Sequence, residues 1–127
     1  MLNSIAMIAA GGALGAVARH YTNIGVMALA RAPFPWGTFV VNVLGCFIMG
    51  ALIAFFAGKA DPGQNWKLFL TTGFLGAYTT FSAFSLDTMG LITRGDITGA
   101  ASYVLGSVIL SIGAVFFGSF IVWRFLL

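Results

Sequence analysis

The sequence predicts an all-α membrane protein with four transmembrane helices. Hydrophobic residues make up 60% of the 127 residues, and charged residues make up only 7%. In soluble domains about a quarter of the residues are charged, so this chain has too few charges to cover a globule in water. The mean hydropathy of +1.02 and the 17 glycines are typical of packed membrane helices.

Four apolar stretches are long enough to cross the hydrocarbon core of a bilayer, which takes about 20 helical residues. They comprise residues 2–30, 36–58, 66 to about 92, and 97–127. The segments between them are short and rich in turn-forming residues. Tryptophans lie at predicted span ends, where indole rings are favoured, at positions 36, 66 and 123. We therefore expect one transmembrane domain over residues 1–127, with the first stretch retained as a span.

The basic residues are divided almost evenly between the two sides of the membrane. With four spans, the termini and the second loop share one side, and the basic residues there are Lys59, Lys67 and Arg124. Those of the other side are Arg31, Arg94 and, if it lies near that end of its helix, Arg19. Because Lys and Arg asymmetry sets orientation, this balance predicts insertion in both directions and an antiparallel, dual-topology homodimer.

The side chains that carry most chemistry are few and dispersed. The chain has one His, one Cys and three Asp, without a nucleophile–base pair or metal-ligand spacing, so we do not expect an enzyme. The six basic residues form no patch for nucleic acid. A proton-coupled exporter of the small multidrug resistance type is an alternative, but such exporters use a membrane-embedded Glu that this chain lacks. A structural membrane subunit without transport activity is a further alternative.

In the first span, Gly11, Gly15, Arg19 and Asn23 recur every four residues, so a small-residue face continues into a cation and an amide. One interpretation is a glycine packing contact with an Arg that extends to the interface. The other is a buried Arg that draws anions into a wet vestibule. His20 follows Arg19 directly, and we expect it on another face as an interfacial side chain.

A similar row in the second span comprises Thr38, Asn42, Cys46 and Gly50. Asn42 lies about two turns inside the span, and its amide offers N–H donors. A structural hydrogen bond between helices and a place on an ion path are both compatible with this position.

The third stretch contains a cluster of Gly, Thr and Ser residues that disfavours a continuous helix, and we predict a break between Gly76 and Thr79. Broken membrane helices present carbonyl and N–H groups that bind cations and anions. Phe81 and Phe84 then share one face of the second half. They form either a packing stripe or, through their positively polarised ring edges, part of an anion path. Asp87 is expected at the hydrated end of the span or at a gate.

In the fourth span, Tyr103, Ser107 and Ser111 form a hydroxyl stripe at i, i+4 and i+8. Each hydroxyl can donate a hydrogen bond to an anion. The stripe either joins helices or, because no partner charge is expected to face it, lines a solvated track. These spans offer hydrogen-bond donors but no ring of acidic residues, which a cation pore would use. The pattern therefore favours a small anion as the transported ion.

Three segments in this order resemble the Fluc family of fluoride channels, also called CrcB-like proteins. They are GGALGAVAR at 11–19, WGTFVVNVLG at 36–45, and TTGFLGAYTTFSAFS at 71–85. The resemblance spans all four helices and is most specific in the third segment. It implies an antiparallel homodimer with two fluoride pores and a structural Na⁺ at the dimer interface. It also implies passive fluoride export across the bacterial inner membrane, which gives fluoride resistance.

The resemblance implies roles for individual residues. Phe81 and Phe84 match the pair whose ring edges contact fluoride, and Asn42 matches the pore amide. Gly76 and Thr79 match the break residues whose main-chain carbonyls, doubled by the partner subunit, would hold Na⁺. The family's polar track is matched by Thr38, Tyr103, Ser107 and Ser111.

Arg19 matches the family's first-helix Arg, whose role stays open between packing and vestibule charge. Two positions depart from the family pattern. Ala77 stands where a second glycine is common, and Ala83 stands where a Thr commonly separates the two phenylalanines. Neither residue is an implied ligand, so we expect an altered rate of conduction and retained selectivity.

Overall fold

The computed structural model describes residues 2–58 and 62–126, which form a bundle of helices. Lys59, one of the basic residues counted in the orientation prediction, lies outside the described residues. The last residue of the predicted fourth span, residue 127, lies outside them as well.

The chain makes four passes through the bundle. Helix α1 spans Leu2–Ala30 and α2 spans Trp36–Gly58, with the bounds that the sequence predicts. The third pass is divided into α3, which covers residues 64–78, and α4, Phe81–Thr93. Helix α5 spans Ile97–Phe125. The all-helical fold with an interrupted third pass is therefore confirmed. Three of the described helices, α1, α2 and α5, are long and apolar enough to cross a membrane unbroken.

Two hydrogen bonds show which segments share an end of the bundle. Arg94 Nη2 donates to the carbonyl oxygen of Pro33 at 3.0 Å, so the first and third loops lie together. Ser4 Oγ donates to Asn65 Oδ1 at 3.2 Å, so the N-terminal end of α1 lies beside the start of α3. The passes therefore run alternately up and down, as the division of charges requires.

Glycines bring the backbones of α1 and α3 into contact along a surface that we call the glycine seam, formed by Gly11, Gly15, Gly73 and Phe74. A Cβ added to Gly11 would lie 2.9 Å from the Phe74 backbone nitrogen. One added to Gly15 would lie 2.9 Å from the Phe74 carbonyl carbon. Because real side chains do not approach so closely, only glycine fits at these two positions, and the predicted glycine packing contact is confirmed.

Helices α2 and α5 pack in the same way. A Cβ on Gly50 would lie 2.8 Å from the Val115 carbonyl carbon, and one on Gly118 would lie 3.1 Å from the Ala51 nitrogen. Ser119 Oγ adds a hydrogen bond to the Gly50 carbonyl oxygen at 2.9 Å. The position of α5 along α2 is thus fixed by small residues and one polar bond.

The break in the third pass falls at Thr79 and Thr80, whose backbones are extended. This is the C-terminal edge of the predicted interval. Earlier in the same pass, Phe69–Leu75 form a π-helix, which the sequence pattern did not predict, and Gly76–Tyr78 are α-helical up to the break. Thr80 caps the next helix, since its Oγ1 accepts from the Ala83 N–H at 3.1 Å and supplies the usual N-cap bond of α4.

A buried apolar cluster holds α4 against α5 next to the break. It contains Phe84, Leu91, Ala100 and Tyr103, with the partly buried Phe34, Phe39 and Val104 packed against it. The first loop and the start of α2 therefore close this side of the bundle. Large apolar side chains on the outer faces of the helices are exposed, as expected where the solvent is lipid.

Candidate ion pathway

Asn42 of α2 bridges the break in the third pass. Its Oδ1 accepts from the Thr80 N–H at 2.8 Å, and its Nδ2 donates to the Thr80 carbonyl oxygen at 3.1 Å. Both backbone groups that extended Thr80 withdraws from the helix are satisfied by one side chain. The structural interpretation of Asn42 is therefore correct. Its amide also retains a second N–H for another acceptor.

The same bridge leaves the Gly76 carbonyl oxygen without its helical donor. In an uninterrupted α-helix the Thr80 N–H would bond to Gly76, but here it bonds to Asn42. The N–H and Oγ1 of Thr79 both donate to the Leu75 carbonyl oxygen, at 3.0 and 2.9 Å. Gly76 itself is exposed, so this part of the break lies at the surface of the chain.

A cavity of about 410 Å³ lies beside the break, between α2, α4 and α5. We call it the break cavity. Every residue that lines it is uncharged. Its wall includes five of the seven predicted pathway residues, which are Asn42, Phe81, Phe84, Ser107 and Ser111. Gly76 and Thr79, the predicted metal-site residues, line the same cavity, together with Cys46 and Thr80.

Two serine hydroxyls on the cavity wall lack partners. Ser107 Oγ and Ser111 Oγ are buried, and neither makes a hydrogen bond of ordinary geometry within the described residues. The Ser111 hydroxyl approaches the thiol of Cys46, which is a weak acceptor. Because buried hydroxyls in folded proteins are nearly always bonded, these two O–H groups are available to a species inside the cavity.

Phe81 and Phe84 lie on the first turn of α4 with ring centroids 5.3 Å apart and ring planes tilted by 48°. Their environments differ, because Phe81 is 77% exposed and Phe84 only 8%. The Phe84 ring also contacts the ring of Tyr103 at 5.3 Å. Phe84 is thus part of the buried core, whereas Phe81 stands at the open side of the cavity.

Tyr103 and Thr38 are absent from the break-cavity wall. Tyr103 is fully buried, and its hydroxyl donates to Asp87 Oδ2 at 3.2 Å. The expectation that the α5 stripe faces no partner charge is therefore wrong at its first position, because packing of α4 on α5 brings Asp87 opposite Tyr103. Thr38 is buried as well, and its Oγ1 accepts from Asn23 Nδ2 at 3.5 Å.

Asp87 lies near one end of the bundle. It lines a cavity of about 310 Å³ together with Arg94 and residues of the first loop. The predicted position near the end of the span is therefore confirmed. The carboxylate of Asp87 also accepts a hydrogen bond from Tyr103, a residue of the buried core.

Arg19 lies in a separate cavity of about 200 Å³, which we call the arginine cavity. Its wall consists of Ala16, Arg19, His20, Asn23, Thr38, Thr80 and Ala83. Arg19 is half-buried and makes no ion pair with any described residue. His20 is exposed, as an interfacial side chain would be, although part of it also lines this cavity. Thr80 lines both the arginine cavity and the break cavity, which makes the two neighbours.

Sequence reasoning missed Thr80 and the pairing of Asp87 with Tyr103. The Thr80 signal was present, because a Thr directly before a helix is a common N-cap. No sequence signal indicated the Asp87 pairing, which depends on how α4 and α5 are rotated against each other.

The fold and the cavity define a class of protein. Buried, uncharged donors surround a break inside a bundle of membrane helices. These are features of a multi-pass protein that moves ions, in which irregular backbone is tolerated where it lines a cavity.

A family model described as "CrcB-like protein, Camphor Resistance (CrcB)" matches residues 6–119, and the chain belongs to this family. It is 50% identical to the fluoride-specific ion channel FluC of Granulibacter bethesdensis over 83% of each chain. It is 46% identical to that of Agrobacterium fabrum, over 93% of this chain and 94% of the relative. It is 48% identical to that of Nitrobacter winogradskyi over 90% of each chain.

The predicted family is thus confirmed, and so is the assignment to multi-pass proteins of the bacterial inner membrane. The family is one of ion channels, so the chain is not an enzyme. The multidrug exporter and the structural subunit are no longer needed as alternatives.

Proposed function

We propose that this chain forms a fluoride-selective passive channel, active as an antiparallel homodimer with two pores, which exports fluoride and gives fluoride resistance. The observation that carries the proposal is the break cavity, in which buried hydroxyls of Ser107 and Ser111 have no partner in a wall without charge. The names of the relatives support fluoride as the ion.

The chemistry of the cavity suits a small, strongly hydrated anion. Such an ion gives up bound water only where several donors replace it. Ser107 and Ser111 offer O–H groups, Asn42 offers its second N–H, and Phe81 offers positively polarised ring edges. A carboxylate would repel the anion, and none lines the cavity among the described residues. A narrow path with these donors would exclude the larger chloride.

A second copy of the chain is part of the proposal, because one copy leaves the cavity open. Phe81 lines the cavity and is 77% exposed, so a second copy packed against its ring would cover this side of the cavity. The near balance of Lys and Arg between the two sides supports an antiparallel arrangement. The partner would then close each cavity into a pore.

The residues at the break fit a structural Na⁺ between the two copies. A hard cation takes oxygen ligands, and the Gly76 carbonyl has lost its helical donor. Carbonyls of Gly76 and Thr79 from both copies would hold the ion. When bound, Na⁺ would supply positive charge that offsets the carbonyl dipoles of two facing helix ends. Arg19 would add a vestibule charge that attracts anions.

Ion efflux from liposomes tests the proposal. Purified protein is reconstituted into vesicles loaded with fluoride or chloride, with a K⁺ ionophore to prevent charge build-up, and ion-selective electrodes record release. We expect rapid fluoride loss and retention of chloride. Release of both ions, or of neither from vesicles shown to contain folded dimer, would reject a fluoride-selective channel.

The sodium site and the dimer need separate measurements. Replacing Na⁺ with a bulky organic cation should lower fluoride flux or dimer order, and indifference to the cation would argue against the site. For topology, Ala32→Cys and Leu126→Cys, which leave the basic residues unchanged, are each made in a Cys46→Ser background and labelled from outside intact cells. We expect partial labelling at both positions, whereas complete labelling at one and none at the other would exclude dual topology.

A further inference from the structure

We propose that the thiol of Cys46 is a modification site inside the break cavity, and that a small, neutral, thiol-reactive sulfur compound attached there closes the fluoride path. This inference rests on the proposed channel function. Cys46 belongs to the row of residues spaced by four on α2 and lies one turn after Asn42. The proposed function gives Asn42 a role in the path but leaves the thiol without one.

The break cavity gives a reagent access to Cys46. The cysteine is half-buried, and it lines the cavity together with Asn42, Ser107 and Ser111. The volume of about 410 Å³ has room for about ten water molecules, so a compound of a few heavy atoms fits. Every residue of the wall is uncharged, so a neutral compound enters without the cost of moving a charge out of water.

A second observation indicates a place for a ligand beside Cys46. Ser107 is only 5% exposed, and its Oγ makes no hydrogen bond of ordinary geometry within the described residues. Because buried hydroxyls are nearly always bonded, this one marks a position where the cavity accommodates a further species. Ser111 Oγ approaches the thiol of Cys46, so the sulfur lies next to one of the donors proposed for fluoride.

Methyl methanethiosulfonate is a suitable probe, because it is small and uncharged. The thiol of Cys46 gives its proton to water or buffer, and the resulting thiolate is the nucleophile. It attacks the sulfur that carries the methyl group. A disulfide bond to the methylthio group forms, the bond to the sulfonyl sulfur breaks, and methanesulfinate leaves with the electron pair. The cysteine sulfur is thereby oxidised to the disulfide level, and the sulfonyl group is reduced to sulfinate.

The attached methylthio group would obstruct the path and mask a donor. It adds a sulfur atom and a methyl group to a thiol that lies next to the Ser111 hydroxyl, and neither added group donates a hydrogen bond. Fluoride would then lose contact with at least one hydroxyl. Loss of one hydrogen bond to a charged species corresponds to a decrease in rate of about tenfold or more.

Fluoride efflux before and after treatment tests the proposal. The reconstituted parent, Cys46→Ser and Cys46→Ala are exposed to the reagent, and each is compared with its own untreated rate. In the parent, mass spectrometry should show one methylthio group per chain, and efflux should fall about tenfold. A thiol reductant should remove the group and restore the rate. The two variants have no cysteine, so their efflux should not respond to the reagent.

A thiol outside the cavity separates obstruction of the path from a general effect of modification. Ile109 of α5 is 64% exposed and is not among the residues that line the break cavity. Ile109→Cys in a Cys46→Ser background should gain the methylthio group and keep its untreated rate. Size-exclusion chromatography of each treated protein checks that the dimer is intact.

The proposal is overturned if the folded parent does not react although the denatured chain does, or if it reacts and conducts as before. Equal inhibition of the cysteine-free variants or of the modified Ile109→Cys protein also overturns it, as does loss of the dimer on treatment. If neither cysteine-free variant folds, the parent decides, because efflux that stays low after the reductant has removed the group is not due to Cys46. If the untreated folded parent carries no fluoride, the proposed function fails, and closure of the path fails with it.

Discussion

The glycine seam and the break cavity both involve the third pass of the chain, but its backbone is tightly packed at the seam and borders an open space at the cavity. At the seam, α1 and the first half of the third pass touch so closely that no methyl group fits at Gly11, Gly15 or Gly73. One turn later the chain opens onto a cavity of about 410 Å³, where neither Ser107 nor Ser111 makes a hydrogen bond of ordinary geometry with a described residue.

The difference shows how a small membrane protein keeps an open, polar site rigid. In lipid there is no hydrophobic gain from bringing helices together, so association relies on close packing of small residues and on polar bonds. The seam supplies the packing, and Asn42 supplies two bonds to Thr80 at the edge of the cavity. The packed seam and the bonded break therefore hold the wall of the cavity in place.

The largest expected effect is at the seam. Gly15→Ala places a Cβ against the Phe74 backbone, and overpacking of this kind is destabilising by about 3 kcal/mol. Folded dimer should be lost or its thermal midpoint in detergent sharply lowered. Gly12→Ala is the matched control, since an added Cβ there meets nothing within 4 Å. Equal behaviour of the two variants would show that the seam does not hold the bundle together.

The next effect is at the edge of the cavity. Asn42→Ala removes both bonds to Thr80 and leaves a buried N–H and carbonyl unpaired, at about 1–3 kcal/mol for each group. We expect a clear drop in the thermal midpoint together with a loss of fluoride flux.

Asn65→Ala is the control for Asn42→Ala. It removes an exposed amide that bonds Ser4, and it should change the stability by less than about 0.5 kcal/mol. If Asn42→Ala were as stable as Asn65→Ala, the bridge would not be what holds the break.

Substitutions of Phe81 and Phe84 distinguish an effect on stability from an effect on conduction. Phe81→Ile and Phe84→Ile retain bulk and remove the polarised ring edge, and each should slow fluoride efflux roughly tenfold, as a barrier increase of about 1.4 kcal/mol does. Phe84 is buried against Tyr103, so only Phe84→Ile should also lower the thermal midpoint. Unchanged efflux in both variants would remove the ring-edge mechanism.

The smallest expected effect concerns the unpaired hydroxyls. Ser107→Ala removes a buried hydroxyl without a partner, so stability should stay constant or rise by up to about 1 kcal/mol, while fluoride efflux slows roughly threefold. Ser119→Ala on the same helix breaks the bond to Gly50 and should lower stability by about 0.6 kcal/mol with efflux unchanged. The opposite pattern would mean that Ser107 serves packing and not conduction.

Much of the fold could be predicted because the signals are local. The bounds of α1 and α2 agree with the sequence prediction, since an apolar stretch in lipid must be helical and the turn-forming residues 31–35 interrupt it. The break was placed close to its actual position for the same reason. The π-helix before it was not predicted, and it lies where this pass contacts α1 along the seam.

For the site, the residue types were determined by the sequence and their grouping by the tertiary structure. Asn42, Phe81, Phe84, Ser107 and Ser111 were selected as polar or aromatic residues at helical spacing in apolar spans, where such residues are costly and functional by default. Spacing along one helix says nothing about what faces it from another.

The sequence by itself thus determined that the chain is a membrane bundle, where its helices lie, and that its polar groups are uncharged donors. Only the tertiary structure decided which of them remain unpaired. Rotation of α4 against α5 gives Tyr103 a partner in Asp87 and leaves Ser107 without one, although both belong to one stripe of α5. Hydrogen-bond satisfaction is a property of facing surfaces, so it is settled when helices pack and not when they form.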